Sequence, residues 1–198
     1  TQLGFDRARF GVDQPEFPVD GNFFFAGLDT GDELFNLEGG FSGNLVDIDE
    51  QFFVAGSGDK FVFGNGGSDR IVVREGNDTI YGGDGGDRIT AGLGDDIIYG
   101  GAGNDEIFSD FQNTTPEGEF STNDIVYAGD GDDFVRAGAG DDIVYLGEGN
   151  DTTDSLNDAG NDIFYGEGGN DRLQLGSGDD FGDGGDGDDE IFGDDFAV

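Results

Sequence analysis

Residues 82–108 read GGDGGDRIT, AGLGDDIIY and GGAGNDEIF, three nine-residue units joined without a spacer. Each has Gly at its second and fourth places, Asp at its sixth and Ile at its eighth. Extended both ways, the frame gives units starting at 55, 64, 73, 82, 91 and 100, then at 119, 128, 137 and 146, then at 157, 166, 175 and 184. Inserts at 109–118 and 155–156 separate the three blocks. Across these fourteen units, place six is Asp in thirteen (Lys60 is the exception) and place four is Gly in thirteen (Thr122 is the exception). Place eight is a large apolar residue in twelve, failing only at Thr153 and Gly182. Such a period outweighs any local propensity, because a unit this short cannot bury an apolar face alone and must stack on its neighbours.

Each unit has two halves. Places one to six are rich in Gly, Asn and Asp, which suit turns because Gly supplies positive φ and Asn or Asp tolerates it. Places seven to nine are short and rich in β-branched and aromatic residues, which suits a strand. Side chains alternate faces along a strand, so the apolar eighth place points inward and places seven and nine point out. The chain therefore reads as an all-β parallel solenoid. Two units, or 18 residues, make one turn with two short strands and two loops.

Composition sets the bounds. The repeat fills about 70% of the 198 residues, so one elongated unit is expected rather than two domains. With 46 acidic against 8 basic residues the net charge is −38, which expands a compact chain by self-repulsion. A hydrophobic share of 34% would suit a disordered chain, but the regular phase argues for order once something cancels the charge. Nucleic acid is excluded as a partner, since phosphates call for clustered Lys and Arg. No apolar run approaches membrane-spanning length. The absence of Cys means no disulfides and leaves the redox compartment open. The start at Thr1, without a charged-then-apolar leader, fits a mature product or a fragment.

Residues 1–27 lie outside the repeat and carry Phe5, Phe10, Phe17, Phe23, Phe24 and Phe25, while Pro15 and Pro18 oppose a long helix. Residues 28–54 keep the phase without its glycines. The expected layout is a Phe-rich cap with degenerate repeats over 1–54, a roll over 55–192 and a tail over 193–198. An atypical end is what a solenoid needs to cover its first core layer.

The repeat Gly-Gly-x-Gly-x-Asp-x-(large apolar)-x resembles that of the RTX family of secreted bacterial proteins, and residues 82–90 and 100–108 match it at every place. The resemblance covers 55–192. It implies a right-handed parallel β-roll, calcium in the loops, and secretion to the cell surface or matrix. The tail Asp194-Asp195-Phe196-Ala197-Val198 is similar to the acidic-then-apolar ends of type I secretion substrates.

Calcium takes six to eight oxygen ligands, more than one such loop can offer. Glycines at places two and four can turn backbone carbonyls toward a common point, and Asp at place six adds a carboxylate. The natural site lies between loops 18 residues apart on one edge, so that Asp87 pairs with Asp105 and, on the other edge, Asp78 pairs with Asp96. The candidate carboxylate ligands are Asp69, Asp78, Asp87, Asp96, Asp105, Asp124, Asp133, Asp142, Asp151, Asp162, Asp171, Asp180 and Asp189. The candidate glycines are Gly83, Gly85, Gly92, Gly94, Gly101, Gly103, Gly129, Gly131, Gly138 and Gly140. Fourteen loops on two edges allow at most twelve inter-loop ions. Asp also makes Asx turns, yet stacked carboxylates without a cation would repel along the whole column.

The outward places separate two faces. One presents Phe63, Tyr81, Tyr99, Tyr127, Tyr145 and Tyr165 at place nine, with Phe61, Thr79, Ile97, Ile125, Ile143 and Ile163 at place seven. The other is mixed and polar, with Arg70, Arg88, Glu106, Phe134, Thr152 and Arg172 at place seven and Val72, Thr90, Phe108, Arg136, Asp154 and Gln174 at place nine. Strand propensity alone would treat both faces alike. An apolar ladder of this length is expected to be covered, by residues 1–27, by another copy or by another protein. Without His there is no His-based triad or histidine-ligated zinc, and a filled roll offers no cleft for paired carboxylates. The sequence thus points to a calcium-binding structural protein, not an enzyme. An export module of a secreted hydrolase or toxin is the first alternative; an ice- or crystal-binding surface is the second.

Overall fold

The alternation of turn-forming and strand-forming halves is realised in the computed structural model, which describes residues 58–110, 122–154 and 160–193 and the backbone of three earlier strands. Those strands are β1 (Leu34–Asn36), β2 (Asn44–Asp47) and β3 (Phe52–Val54). There follow β4 (Lys60–Gly66), β5 (Arg70–Val72), β6 (Thr79–Asp84), β7 (Arg88–Thr90), β8 (Ile97–Ala102) and β9 (Glu106–Phe108). The next are β10 (Ile125–Asp130), β11 (Phe134–Arg136), β12 (Ile143–Glu148) and β13 (Thr152–Thr153). The last are β14 (Ile163–Gly168), β15 (Arg172–Gln174), β16 (Phe181–Asp183) and β17 (Glu190–Phe192). Odd-numbered strands form one nine-stranded sheet and even-numbered strands form one eight-stranded sheet, each in chain order. Every pairing is parallel, and the common register step is 18 residues, as in Ile71↔Ile89 and Ile80↔Ile98.

Place eight builds the core. Val62, Ile80, Ile98, Val126, Val144 and Phe164 from one sheet meet Ile71, Ile89, Ile107, Val135 and Leu173 from the other, all fully buried. Thr153, an exception in the pattern, is also buried, and its hydroxyl both donates to the Gln174 carbonyl (3.0 Å) and accepts from the Gln174 N–H (2.8 Å). Ile191 departs from the inward expectation. It is 45% exposed because it lies in the last strand of its sheet, with no following turn to cover it.

The sequence reading treats place one as turn. The structure makes it a second core layer, with Val73, Ala91, Ala128, Ala137, Leu146 and Leu175 buried. Ser109, the first residue of the insert, is buried as well, its hydroxyl donating to the Ala137 carbonyl at 2.5 Å. The two sheets also differ in strand length. Strands β6, β8, β10, β12 and β14 run six residues, through places one to three of the following unit, whereas those of the nine-stranded sheet run three or fewer.

The first insert leaves the ladder intact: Ile97 pairs with Ile125 and Tyr99 with Tyr127, a step of 28 instead of 18. The alternation of faces therefore survives the insert. Before residue 55 the phase is only half kept. Phe53 pairs with Ile71 at the regular step, but Val46 pairs with Val62, two residues out of frame. The Phe-rich segment 1–27 and the tail 194–198 lie outside the described residues.

Candidate functional site

Along each edge the place-six residues form a column. One runs through Asp69, Asp87, Asp105, Asp133, Asp151, Asp171 and Asp189; the other runs from Lys60 through Asp78, Asp96, Asp124, Asp142, Asp162 and Asp180. Asp87 with Asp105, and Asp78 with Asp96, are neighbours in these columns. The Asp87 N–H donates to Asp105 Oδ1 at 2.8 Å, and the Asp78 N–H to Asp96 Oδ1 at 2.7 Å. From Asp78 and Asp87 onward each Asp thus caps a backbone donor in the preceding turn, not its own turn as an Asx motif would.

This leaves the second oxygen. Oδ2 of Asp78, Asp87, Asp96, Asp105, Asp124, Asp133, Asp151, Asp162 and Asp171 is buried without a hydrogen-bond partner. A buried carboxylate oxygen in that state is costly unless a proton or a cation meets it. The electrostatics agree. Burial pushes Asp78, Asp151 and Asp162 up to about 6, Asp105 and Asp133 to about 7, Asp96 to about 8 and Asp124 to about 9. The backbone hydrogen bond pulls each of them down and does not overcome the loss of solvent, and neighbouring carboxylates raise most of them further.

The predicted glycines carry the geometry that lets loops stack this closely. Gly83, Gly85, Gly92, Gly94, Gly101, Gly103, Gly129, Gly131, Gly138 and Gly140 all have φ between 99° and 147°. A Cβ on Gly101 would sit 2.0 Å from the Gly83 carbonyl oxygen, so the carbonyls of one turn lie directly against the next. Place one contributes as well, which the sequence reading does not foresee. A Cβ on Gly82 would fall 2.4 Å from Asp87 Oδ2 and 2.5 Å from the Gly100 carbonyl oxygen, so those two oxygens approach one point.

Two further features escape the sequence reading. Place five forms a second ladder, running the opposite way: the side-chain oxygen of one turn accepts the place-five N–H of the next, as from Asn123 to Asp95 (3.0 Å) and from Asn161 to Asp141 (2.8 Å). Place five is Asn, Asp or Ser in thirteen of the fourteen units, a signal present in the sequence. The other is Asp110, at the root of the first insert. Its carboxylate accepts from the Ala139 N–H (2.9 Å) and the Thr122 hydroxyl (3.0 Å), patching the loop that lacks glycines. Nothing in the period marks it.

Among the described residues no three acidic side chains converge on one point. The columns therefore offer one or two carboxylate oxygens per loop pair, and a cation there would complete its shell from backbone carbonyls. An all-oxygen donor set suits a hard cation.

On the outward faces, ring centroids along Phe63, Tyr81, Tyr99, Tyr127, Tyr145 and Tyr165 are 4.6–5.0 Å apart and within 11° of parallel. The spacing is that of the strands, so the rings cover one another and most are half-buried; Tyr127 is 37% exposed. The opposite face is cross-linked by Arg88–Glu106 and Arg136–Asp154. There Phe108, expected to point outward, is buried, with the guanidinium of Arg88 5.1 Å and that of Arg136 5.8 Å from its ring centre.

The family model for the RTX calcium-binding nonapeptide repeat, in four copies, matches residues 52–80, 63–96, 81–116, 120–153 and 158–182. No curated protein matches the chain.

Proposed function

The chain belongs to the RTX calcium-binding nonapeptide-repeat family, and from that premise we propose that it is a secreted structural protein whose roll folds around columns of calcium. The observation that carries this reading is the recurrent buried Oδ2 without a partner at place six. The residues fit the ion: an unpaired carboxylate oxygen, close-packed backbone carbonyls at glycine places, and nothing but oxygen donors. The ligands are the place-six Asp residues from Asp69 to Asp189, completed by carbonyls of the loop glycines, with up to about twelve ions along the two edges. Bound calcium supplies the positive charge that keeps these carboxylates ionised inside the fold. The protein's part is to align them, through the capping bonds between turns, and to hold water away.

Asp96→Ala against Asp84→Ala tests the assignment, because both remove one negative charge. Asp84 is an exposed place-three residue, whereas Asp96 is buried, caps the Asp78 N–H and carries an unpaired oxygen. Asp96→Ala should shift a calcium titration of folding several-fold to higher calcium and flatten it, while Asp84→Ala leaves it near wild type. Equal effects would show that charge, not position, matters.

The Tyr and Ile face is proposed as the surface through which copies associate. Support comes from its regular, flat ring stack and from the exposure of Tyr127, Phe61 and Phe181 along it. Wild type in calcium should scatter light as more than a monomer, and the triple variant Tyr99→Ser, Tyr127→Ser, Tyr145→Ser as a monomer with unchanged calcium dependence. A monomeric wild type would sink the idea.

A further inference from the structure

Place six has one exception, Lys60, and it is the only lysine in the chain. It is also the one buried basic side chain among the described residues, 4% exposed, where Arg70, Arg74, Arg88 and Arg172 face solvent and Arg136 is half-buried. An ammonium does not enter a protein interior without compensation. The Lys60 N–H donates to Asp78 Oδ1 at 2.7 Å, so the residue holds the ordinary place-six position in the column. Its side chain turns back, and Nζ donates to the carbonyl of Gly58, the place-four glycine of its own loop. The carboxylates acting on it are those of Asp78 foremost, then Asp59, Asp96 and Glu75. Asp78 Oδ2 has no hydrogen-bond partner of its own. The same two groups, a place-four carbonyl and the next turn's place-six carboxylate, approach one point in other loop pairs: a Cβ on Gly178 would lie 1.6 Å from the Gly160 carbonyl oxygen and 3.1 Å from Asp180 Oδ1, and one on Gly187 would lie 1.4 Å from the Gly169 carbonyl oxygen and 3.3 Å from Asp189 Oδ1. Here a tethered cation is already bonded to the first and attracted by the second.

We propose that Lys60 is a built-in cation that closes the amino-terminal end of one calcium column, its ammonium standing where the loop pair of Lys60 and Asp78 would otherwise take an ion. The proposal rests on the calcium reading above. It gives that edge one ion fewer than its stack of loops would hold. It also makes this loop pair neutralised at any calcium level, a preformed layer onto which later turns can add, since a solenoid propagates from whichever repeat is already ordered.

The test counts calcium per chain by elemental analysis after gel filtration in calcium buffer, for wild type, Lys60→Asp and Lys60→Met, with circular dichroism as the measure of folding. Lys60→Asp is expected to hold one calcium more than wild type. Lys60→Met, which removes the charge without adding a ligand, is expected to hold no more than wild type and to need several-fold more calcium to fold. An unchanged count in a folded Lys60→Asp, beside a calcium-loaded wild type, overturns this proposal alone. So does a Lys60→Met that folds at the wild-type calcium level, which decides the matter if Lys60→Asp does not fold. A wild type that folds without holding calcium overturns the calcium reading and this proposal with it.

Discussion

In a calcium chelator at pH 8 and low salt the chain is expected to lose its strand spectrum and expand, and to regain both when calcium is restored. The reason is the size of the electrostatic cost. Asp105 and Asp133, with folded values of about 7, are each penalised by about 4 kcal/mol when ionised in the metal-free fold at neutral pH, relative to a solvated chain. Asp96 and Asp124 are pushed higher still. A typical domain is stable by only about 5–15 kcal/mol in total, so a few such residues outweigh what the Ile and Val core can supply. With calcium the sign reverses, and binding energy becomes folding energy. Circular dichroism and small-angle scattering across a calcium titration measure both changes. A strand spectrum that persists in EGTA at low salt would falsify the metal-dependent fold.

Much of this architecture is legible in nine letters, because the period serves packing and chemistry together. Ile at place eight can only stack, and Gly at places two and four suits the positive φ found there, which Asn65 and Glu167 also adopt at place two at 71° and 69°. Asp87 and Asp105 were assignable to one pair from spacing alone. What spacing could not show is the division of labour within the carboxylate, Oδ1 to the Asp87 N–H and Oδ2 left over. That depends on rotamer and loop curvature, which composition does not encode. Place one is hidden for another reason. It is Gly, Ala, Val or Leu in twelve of the fourteen units, Glu119 and Asn157 following the two inserts, so no single residue type marks its burial. Asp110 and the slip at Val46 are hidden because each occurs once, and a repeat reveals only what recurs. The Tyr ladder was visible, but not the extent to which each ring covers the next.

Acid is expected to act in opposite directions with and without calcium. In chelator, the folded values of Asp78, Asp96, Asp105, Asp124, Asp133, Asp151 and Asp162, about 6 to about 9, lie above the unfolded value near 3.9. A carboxyl raised in the fold binds its proton more tightly there, so its contribution favours folding below the unfolded value and is lost as pH rises through the folded one. Lowering the pH from 8 to 5 should therefore restore strand structure to the calcium-free chain, each residue with a folded value near 7 contributing about 2–3 kcal/mol over that interval. In saturating calcium the ligated carboxylates are held ionised, below their unfolded value. Their contribution is present above about pH 4 and is lost as protons displace the metal. The loaded protein should then be most stable near neutrality and weaken in acid, with a midpoint that moves to lower pH as calcium is raised. Salt separates this from general repulsion: it screens exposed carboxylates but leaves the desolvation of buried ones in place, so molar chloride at pH 8 should restore less structure than acid does. A calcium-free chain whose spectrum is the same at pH 8 and pH 5, or one rescued fully by salt, would show that the buried Oδ2 columns are not what holds the apo chain open.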